Sequence, residues 1–249
     1  MTTAKILLLR SGIEEGAEAP PEGVDLLMTH EVVPAPQGIT EALSFDPRGA
    51  FLIVTSRSTV VVLEAARPGF FGRFERAFAA GTVTGRALSA AGARQVEVGA
   101  EPGAAGLVPL LRDNSAPLLW PHGSDADPEP FEPLEERSIR WSAPVVYQKR
   151  PLSRPDPGLV RALLDGRYAG VAVSSVAALD VLLGAVRASG RPLPQVRWGA
   201  IGPGTARAFA QRHLPAPVIP SRARLTDLID SVTAAIAAAG DGAHRKEPR

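Results

Sequence analysis

The sequence predicts an α/β fold in which two similar parallel-sheet lobes are joined by a two-stranded antiparallel linker. Short apolar runs of strand length alternate with helix patterns along most of the chain. One strand-and-helix unit occurs twice, at a nearly constant offset. A proline-bracketed run, APVVYQKRP (143–151), lies between the two copies. We expect it to be a strand that crosses between the lobes, with Tyr147 facing the cleft between them.

The composition is that of a soluble globular protein and argues against several kinds of site. The chain has 249 residues and a net charge of +1, so it lacks a general basic footprint for nucleic acid. It has no cysteine, and its four histidines show no metal-ligand spacing. No apolar run approaches the ~20 residues of a membrane span, and the first residues lack a signal peptide's apolar core. We therefore expect a cytoplasmic protein with no nucleic-acid or membrane partner, and we take it to be a monomer.

Buried strands and helices follow one another in the first part of the chain. Residues 5–10 are an apolar run typical of a buried parallel strand, and 11–23 are a loop rich in Gly, Glu and Pro. Ser56 is a good N-cap for a helix through Arg67. The other strands predicted here are 24–33, 50–55, a short one ending at Ala80, 94–98, 117–120 and 139–149. The other helices are 39–44, 86–91 after a loop at 81–85, 104–112 and 131–137, the last after a loop at 121–130.

The same order returns after residue 158. The predicted strands are 170–173, 196–201 and 216–219, and the predicted helices are 159–164, one ending at Ala188, one through Arg212 and 225–239. The last helix is apolar at helical spacing, and Gly240 is placed as its C-terminal stop. Residues 241–249 are polar and predicted to be disordered.

The internal repeat rests on three pairs of matching motifs. FLIVTS (51–56) matches VAVSS (171–175), and LVPLL (107–111) matches LTDLI (225–229). GTVTGRAL (81–88) matches GPGTARAF (202–209). The offset is 121 for the pair that begins at 81 and 202, and 118 for the pair that begins at 107 and 225. Because all three pairs occur in order at nearly one offset, they indicate a duplicated structure.

Small and hydroxyl residues follow the predicted strands at the points where helices begin. Ligands of parallel α/β sheets bind beyond the carboxyl ends of the strands, and helix N-termini favour anions. We expect these residues to line a cleft for a ligand with several carboxylates, although each could equally well only cap a helix or fill a tight turn. The candidate binding residues are Thr55, Ser56, Gly81, Thr82, Thr84, Ser174, Ser175, Gly202, Gly204 and Thr205.

The chain order also predicts the limits of the two lobes. One lobe is continuous, at 37–143. The other is discontinuous, formed by 1–33 together with 152–249. Linker strands at 34–36 and 144–151 join them.

Three motifs resemble those of the uroporphyrinogen-III synthase family. They are IVTS (53–56), VVYQ (145–148) and AIGPGTARA (200–208), of which the last is the most specific. The resemblance covers most of the chain from Ala50 to Ala239. It implies two α/β lobes joined by a two-stranded ladder, and an enzyme that converts the linear tetrapyrrole hydroxymethylbilane to uroporphyrinogen III without metal or organic cofactor.

The resemblance also implies roles for particular residues. Tyr147 matches the family's tyrosine and would be the catalytic residue, assisting loss of the terminal hydroxyl. Thr84 and Thr205 match hydroxyls near the family's cleft, and Ser56 and Ser175 match serines at the lobe tips. The acetate and propionate groups of such a substrate suit a cleft lined by helix N-termini.

The sequence departs from the family in ways that leave a second function open. The segment 11–23 is short and proline-rich, and the family's Pro-Arg-Gly is here Pro121-His122-Gly123, so a possible carboxylate-binding arginine is missing. His122 could still donate a hydrogen bond there, but we expect it to be a solvated loop residue. The alternative function is a non-catalytic two-lobe binder of a tetrapyrrole or another polyanion. A nucleotide binder ranks lower, because the glycine loops match neither Gly-x-Gly-x-x-Gly nor a Walker motif.

Overall fold

The chain divides into two units with separate hydrophobic cores. The structure, a computed structural model, describes residues 5–11, 20–101, 103–112, 115–135 and 140–244. Unit 1 consists of Met1–Glu31 and Pro151–Arg249, and unit 2 is Val32–Arg150. Most of the loop predicted at 11–23 lies outside the described residues.

Strands and helices alternate along the described part of the chain. The strands are β1 (Ile6–Ser11), β2 (Val24–Pro34), β3 (Phe51–Val54), β4 (Arg76–Ala79), β5 (Val96–Val98), β6 (Leu118–Leu119), β7 (His122–Gly123), β8 (Trp141–Ser142), β9 (Val145–Pro151), β10 (Gly170–Val173) and β11 (Arg197–Ala200). The α-helices are α1 (Pro36–Ser44), α2 (Arg57–Ala66), α3 (Thr82–Ala90), α4 (Val108–Leu111), α5 (Glu132–Glu135), α6 (Pro157–Leu164), α7 (Val176–Ala188), α8 (Pro203–Gln211) and α9 (Leu225–His244). Short 3₁₀ turns occupy Phe71–Arg73, Ala104–Leu107 and Glu129–Phe131.

Unit 1 contains a parallel sheet in the order β11-β10-β1-β2. Its central strand β1 is apolar and buried on both faces, as the run at 5–10 predicts. One face packs in a core cluster that includes residues of α6, α7 and α8, and the other packs against α9. The layers therefore stack as helix, sheet and helix, which leaves only the sheet edges and the strand ends open to a ligand.

Unit 2 repeats this arrangement. Its parallel sheet has the order β5-β4-β3-β6-β8, with one core cluster on each face. Strands β3 and β10 begin 119 residues apart (51 and 170), and helices α3 and α8 begin 121 residues apart (82 and 203). In strand order, β4-β3-β6-β8 of unit 2 corresponds to β11-β10-β1-β2 of unit 1. The predicted α/β fold with two similar parallel sheets is confirmed.

The chain passes between the units in β2 and β9, which are neighbours in strand order. The Ala35 amide donates to the Val146 carbonyl, and the Leu152 amide donates to the Thr29 carbonyl. Since residue numbers rise in one strand as they fall in the other, β2 and β9 run antiparallel. The direction is the one predicted for the two connecting strands.

One predicted strand, 139–149, is two strands in the structure. β8 pairs with β6, whereas β9 pairs with β7, and the break falls at Ala143-Pro144. Proline has no N–H to donate to a ladder, so a strand is readily interrupted there. The strand β7 lies where the sequence predicts only a loop, because two residues are too few to give a periodic pattern.

Several predicted boundaries of helices and strands were also wrong. Helix α3 begins at Thr82 instead of residue 86, because the Gly85 amide makes the first-turn hydrogen bond to the Gly81 carbonyl. Helix α9 continues past Gly240, whose cost of about 1 kcal/mol relative to alanine does not end a long helix. The strand predicted at 216–219 is a single bridge between Val218 and Gly199. The first four residues of the tail predicted to be disordered, 241–244, are helical, and 245–249 lie outside the described residues.

Among the described residues, every helix is too short or too polar to cross a bilayer.

Candidate functional site

In unit 2, the candidate residues lie at the carboxyl ends of two neighbouring strands. Thr55 and Ser56 follow β3, and Gly81 follows β4 after Ala80. The strands are parallel, with Val54 opposite Ala79, so their ends lie at one edge of the sheet. Helices α2 and α3 both begin at this edge, as the sequence predicts.

The two helix starts of unit 2 are capped in different ways. The Ser56 hydroxyl accepts a hydrogen bond from the Ser58 amide at 3.1 Å, which satisfies one free donor of α2. The cap of α3 is Gly81, which has no side chain, so its first-turn amides lack a side-chain acceptor. Thr82 is exposed in that first turn, and Thr84 is 7% exposed. An anion would therefore find unsatisfied backbone donors chiefly at α3.

Unit 1 has the same pair of helix starts. Ser174 and Ser175 follow β10, and the Ser175 hydroxyl accepts from the Ala178 amide at 3.1 Å. Gly202 caps α8 without a side chain, and Pro203 and Gly204 are the first two helical residues. Thr205, at the position that matches Thr84, is 8% exposed. Each unit thus brings together one serine-capped and one glycine-capped helix, and ligand binding by the ten candidate residues stays a prediction.

Tyr147 lies in the core of unit 2. Its side chain is 2% exposed and belongs to the hydrophobic cluster that also contains Ala42, Leu119 and Val146. The expectation that the ring is open to a cleft is therefore wrong in this structure. The reason is that the Tyr147 ring lies against Gly123 of the neighbouring short strand β7, which the sequence did not reveal.

The segment from β7 onward is held to β9 by main-chain and ionic contacts. The Ser124 amide donates to the Tyr147 carbonyl at 2.9 Å, and Lys149 Nζ lies 2.7 Å from Asp125 Oδ2. A Cβ added to Gly123 would lie 2.6 Å from the Tyr147 hydroxyl oxygen, so only glycine lets the backbone approach the phenol this closely. No hydrogen bond to that hydroxyl is seen within the described part of the chain, and its oxygen is not among the fully shielded atoms that lack a partner there.

His122 is not the solvated loop residue that the sequence suggests. Its ring stacks on Trp120 with 4.2 Å between ring centroids. Its Nδ1 lies 2.8 Å from the Gly123 carbonyl and its Nε2 lies 3.1 Å from the Ala143 carbonyl. Both ring nitrogens thus face main-chain acceptors, and neither is left for a ligand.

Two residues that the sequence analysis did not single out lie in this part of unit 2. Trp120 is buried, with its Nε1 3.4 Å from the Thr55 hydroxyl. Arg57 is the first residue of α2, directly after Thr55 and Ser56. The sequence did contain a signal for Arg57, since an arginine directly follows the serine that is predicted to cap the helix.

The other tyrosine, Tyr168, has a structural role in unit 1. Its hydroxyl donates to Asp25 Oδ2 at 2.7 Å, and Lys5 Nζ lies 3.6 Å from the same oxygen. Burial, followed by the hydrogen bond to Asp25, raises the pKa of Tyr168 above its ordinary value of 10.0. The phenol is therefore held in its neutral, donating form.

Comparisons with known proteins agree on one family. The family model HEM4, described as uroporphyrinogen-III synthase HemD, matches residues 26–230. The crystal structure of uroporphyrinogen-III synthetase from Helicobacter pylori has a TM-score of 0.63 at 18% identity, over 91% of this chain and 97% of that one. A mutant uroporphyrinogen III synthase from Thermus thermophilus has a TM-score of 0.51 at 18% identity, over 98% and 100%. Likeness at this identity shows the fold alone, and no curated protein sequence gives a significant match.

Proposed function

The chain belongs to the uroporphyrinogen-III synthase family, and from that premise we propose that it cyclises hydroxymethylbilane to uroporphyrinogen III, with inversion of the last ring. The family places the reaction in tetrapyrrole and haem biosynthesis. The proposed ligand is thus a linear tetrapyrrole that carries acetate and propionate groups. The cytoplasmic location and the monomeric state stay predictions.

One observation supports this substrate most directly: each unit presents a glycine-capped helix start beside a serine-capped one. Such starts offer backbone N–H donors and the positive end of the helix dipole without a fixed cation. They suit several carboxylates spaced along a flexible chain. We therefore propose that the ten candidate residues bind the side chains of the substrate.

We propose that Tyr147 donates a proton to the departing terminal hydroxyl of the substrate. The carbon–oxygen bond breaks, the oxygen leaves as water with the phenolic proton, and the electron-rich pyrrole supplies the electrons, which leaves an azafulvene cation. The protein then holds the chain so that closure passes through a spiro intermediate and inverts the last ring. Its contribution is mainly positioning and exclusion of water.

The position of Tyr147 adds a condition to this role. The phenol has no hydrogen-bonding partner among the described residues, so its proton is not committed elsewhere. Its hydroxyl lies against Gly123, at the start of the segment fastened by Ser124 and Asp125. The proposal therefore requires this segment to move aside when substrate binds.

The activity is tested by supplying the purified protein with hydroxymethylbilane from a coupled source and separating the product isomers. We expect the type III isomer, because the enzyme must invert the last ring before closure. Formation of only the type I isomer, which arises spontaneously, would contradict the proposed function.

The role of Tyr147 is tested by Tyr147→Phe. We expect the rate of type III formation to fall by about 10²-fold or more, since general acids contribute roughly that much. The free energy of unfolding in urea should change by less than about 1 kcal/mol, because the lost hydroxyl has no partner in the described structure. An unchanged rate would leave Tyr147 as a packing residue only.

A second candidate function is a non-catalytic binder of a tetrapyrrole or another polyanion. The burial of Tyr147 and the engagement of both His122 nitrogens with carbonyls favour it. Tight binding of uroporphyrinogen III without turnover of hydroxymethylbilane would select this function over the enzyme.

A further inference from the structure

Within the part of the chain that the structure describes, Arg57 has no hydrogen-bonding or ionic partner, and it lies at the edge where unit 2 presents its candidate residues. Its Nη2 atom is shielded from solvent, and no acceptor among the described residues forms a hydrogen bond with it. Two other shielded side-chain oxygens without hydrogen bonds differ from it. The Glu64 carboxylate accepts from the Gly69 amide through its other oxygen, and Arg222 Nε lies 3.1 Å from Asp227 Oδ2. Arg57 has no such second contact within the described residues.

The place of Arg57 in α2 is also unfavourable for a cation. It is the first helical residue, where the helix dipole contributes positive charge. A carboxylate, not a guanidinium, would stabilise that end of the helix. The dipole therefore does not explain an arginine at this position, whereas an anionic ligand would.

The neighbouring polar side chain is already engaged. Helix α2 packs against β7, and the Thr59 hydroxyl donates to the Pro121 carbonyl at 3.4 Å. His122, the residue after Pro121, has both ring nitrogens facing main-chain carbonyls and its face on Trp120. In this part of unit 2, the guanidinium of Arg57 is thus the group with donors to spare.

We propose that Arg57 binds a carboxylate of the tetrapyrrole substrate beside the first turn of α2. The guanidinium is planar, keeps its charge, and can donate two parallel hydrogen bonds to one carboxylate. The inference rests on the proposed function for the identity of the ligand. Because Nη2 is shielded by the protein, the guanidinium must turn outward to meet the ligand. The bound carboxylate would then satisfy Nη2 and offset the unfavourable charge at the start of the helix.

The test compares Arg57→Gln and Arg57→Lys with the control Arg67→Gln. Arg67 is the exposed C-cap of the same helix, so its replacement removes the same charge far from the helix start. The binding probe is uroporphyrinogen III kept under reducing conditions, titrated by tryptophan fluorescence. The kinetic readout is the KM for hydroxymethylbilane from a coupled source.

We expect Arg57→Gln to raise both the Kd and the KM by about 10- to 100-fold, because a charged hydrogen-bonded contact with the ligand is lost. The kcat should change little, because a carboxylate remote from the reacting carbon is held equally before and during the reaction. Arg57→Lys should lie between wild type and Arg57→Gln, since it keeps the charge but loses the paired donors. Arg67→Gln should match wild type.

The outcomes separate this inference from the proposed function. If wild type forms the type III isomer and Arg57→Gln binds and turns over with unchanged constants, the inference is overturned and the function stands. If wild type binds uroporphyrinogen III without forming the type III isomer, and Arg57→Gln weakens binding, the function is overturned and the inference stands. If wild type neither binds nor reacts, both are overturned. If Arg57→Gln does not unfold cooperatively in urea, Arg57→Lys is used in its place. A Kd and a KM equal to those of wild type for Arg57→Lys would then overturn the inference.

Discussion

At the scale of single residues, the two tyrosines occupy opposite chemical settings. Tyr168 donates its hydroxyl to Asp25, whereas no partner is seen for the Tyr147 hydroxyl among the described residues. Gly123 is what allows the main chain to lie on the Tyr147 ring. The phenol with a partner serves stability, and the phenol without one is the candidate for chemistry.

Tyr168 should make stability depend on alkaline pH. Its pKa is raised in the folded state, chiefly by burial, so folding favours the neutral phenol. The contribution is fully present below the unfolded pKa, near 10.0, and is lost as the pH rises through the higher folded value. Tyr168→Phe should lower the free energy of unfolding by about 1–3 kcal/mol at neutral pH, with a difference that shrinks above pH 10.

Urea unfolding of wild type and Tyr168→Phe at a series of pH values measures this effect. Tyr147→Phe at neutral pH is the matched control for loss of a buried hydroxyl, and it should cost little. A difference between wild type and Tyr168→Phe that stays constant well above pH 10 would contradict the assignment of the raised pKa to the folded state.

At the scale of elements, the helix starts carry both stability and the proposed binding. Ser56 and Ser175 each accept a hydrogen bond from a first-turn amide, while Gly81 and Gly202 have no side chain with which to do so. The early start of α3 follows from close packing. A Cβ on Gly85 would lie 2.8 Å from Val98 Cγ2, so the glycine lets α3 lie directly on β5. The sequence analysis placed Gly85 in a loop, whereas its close packing against β5 accommodates it within helix α3.

The two serine caps should contribute similar stability. Ser56→Ala and Ser175→Ala should each lower the free energy of unfolding by about 1 kcal/mol, because each leaves a first-turn amide without its acceptor. Ser89→Ala is the control. Its hydroxyl donates to the Gly85 carbonyl within α3, and alanine has the higher helix propensity, so little loss is expected. Equal effects of the cap and control variants in urea unfolding would show that the caps are not stabilising.

At the scale of the whole molecule, the duplicated architecture divides the chain unevenly. Unit 2 is one continuous segment, and both of its core clusters are built from its own residues. Unit 1 is assembled from two segments far apart in sequence. Unit 2 is therefore the part that is expected to fold alone.

We predict that a fragment of residues 32–150 unfolds cooperatively and is more stable than one of residues 37–143, the lobe limits predicted from sequence. The shorter fragment lacks Val146 and Tyr147, which are buried in the unit 2 core. Losing them should cost several kcal/mol, about 2–5 for each large buried side chain. Circular dichroism in urea measures both fragments. Equal stability would mean that β9 adds nothing to unit 2, and absence of cooperative unfolding in the longer fragment would contradict its independence.

Much of the fold was predictable because local pattern and tertiary packing agree. The apolar run at β1, the limits of β10, and the serine that caps α2 all followed from periodicity and capping chemistry. The repeat was visible because both units need the same glycines and hydroxyls at strand ends. The site was predicted less completely, because Arg57 and Trp120 belong to no periodic motif, and the burial of Tyr147 depends on a strand of two residues.

The sequence by itself determined the alternation of strands and helices, the duplication and the family, since these depend on patterns that neighbouring residues impose on one another. Only the tertiary structure decided that Tyr147 is enclosed, that both nitrogens of His122 face carbonyls and that a nitrogen of Arg57 is left without a partner among the described residues. Each of these depends on atoms from segments distant in sequence, such as Ala143 beside His122. Such contacts are set by how the strands pair, which no local pattern encodes.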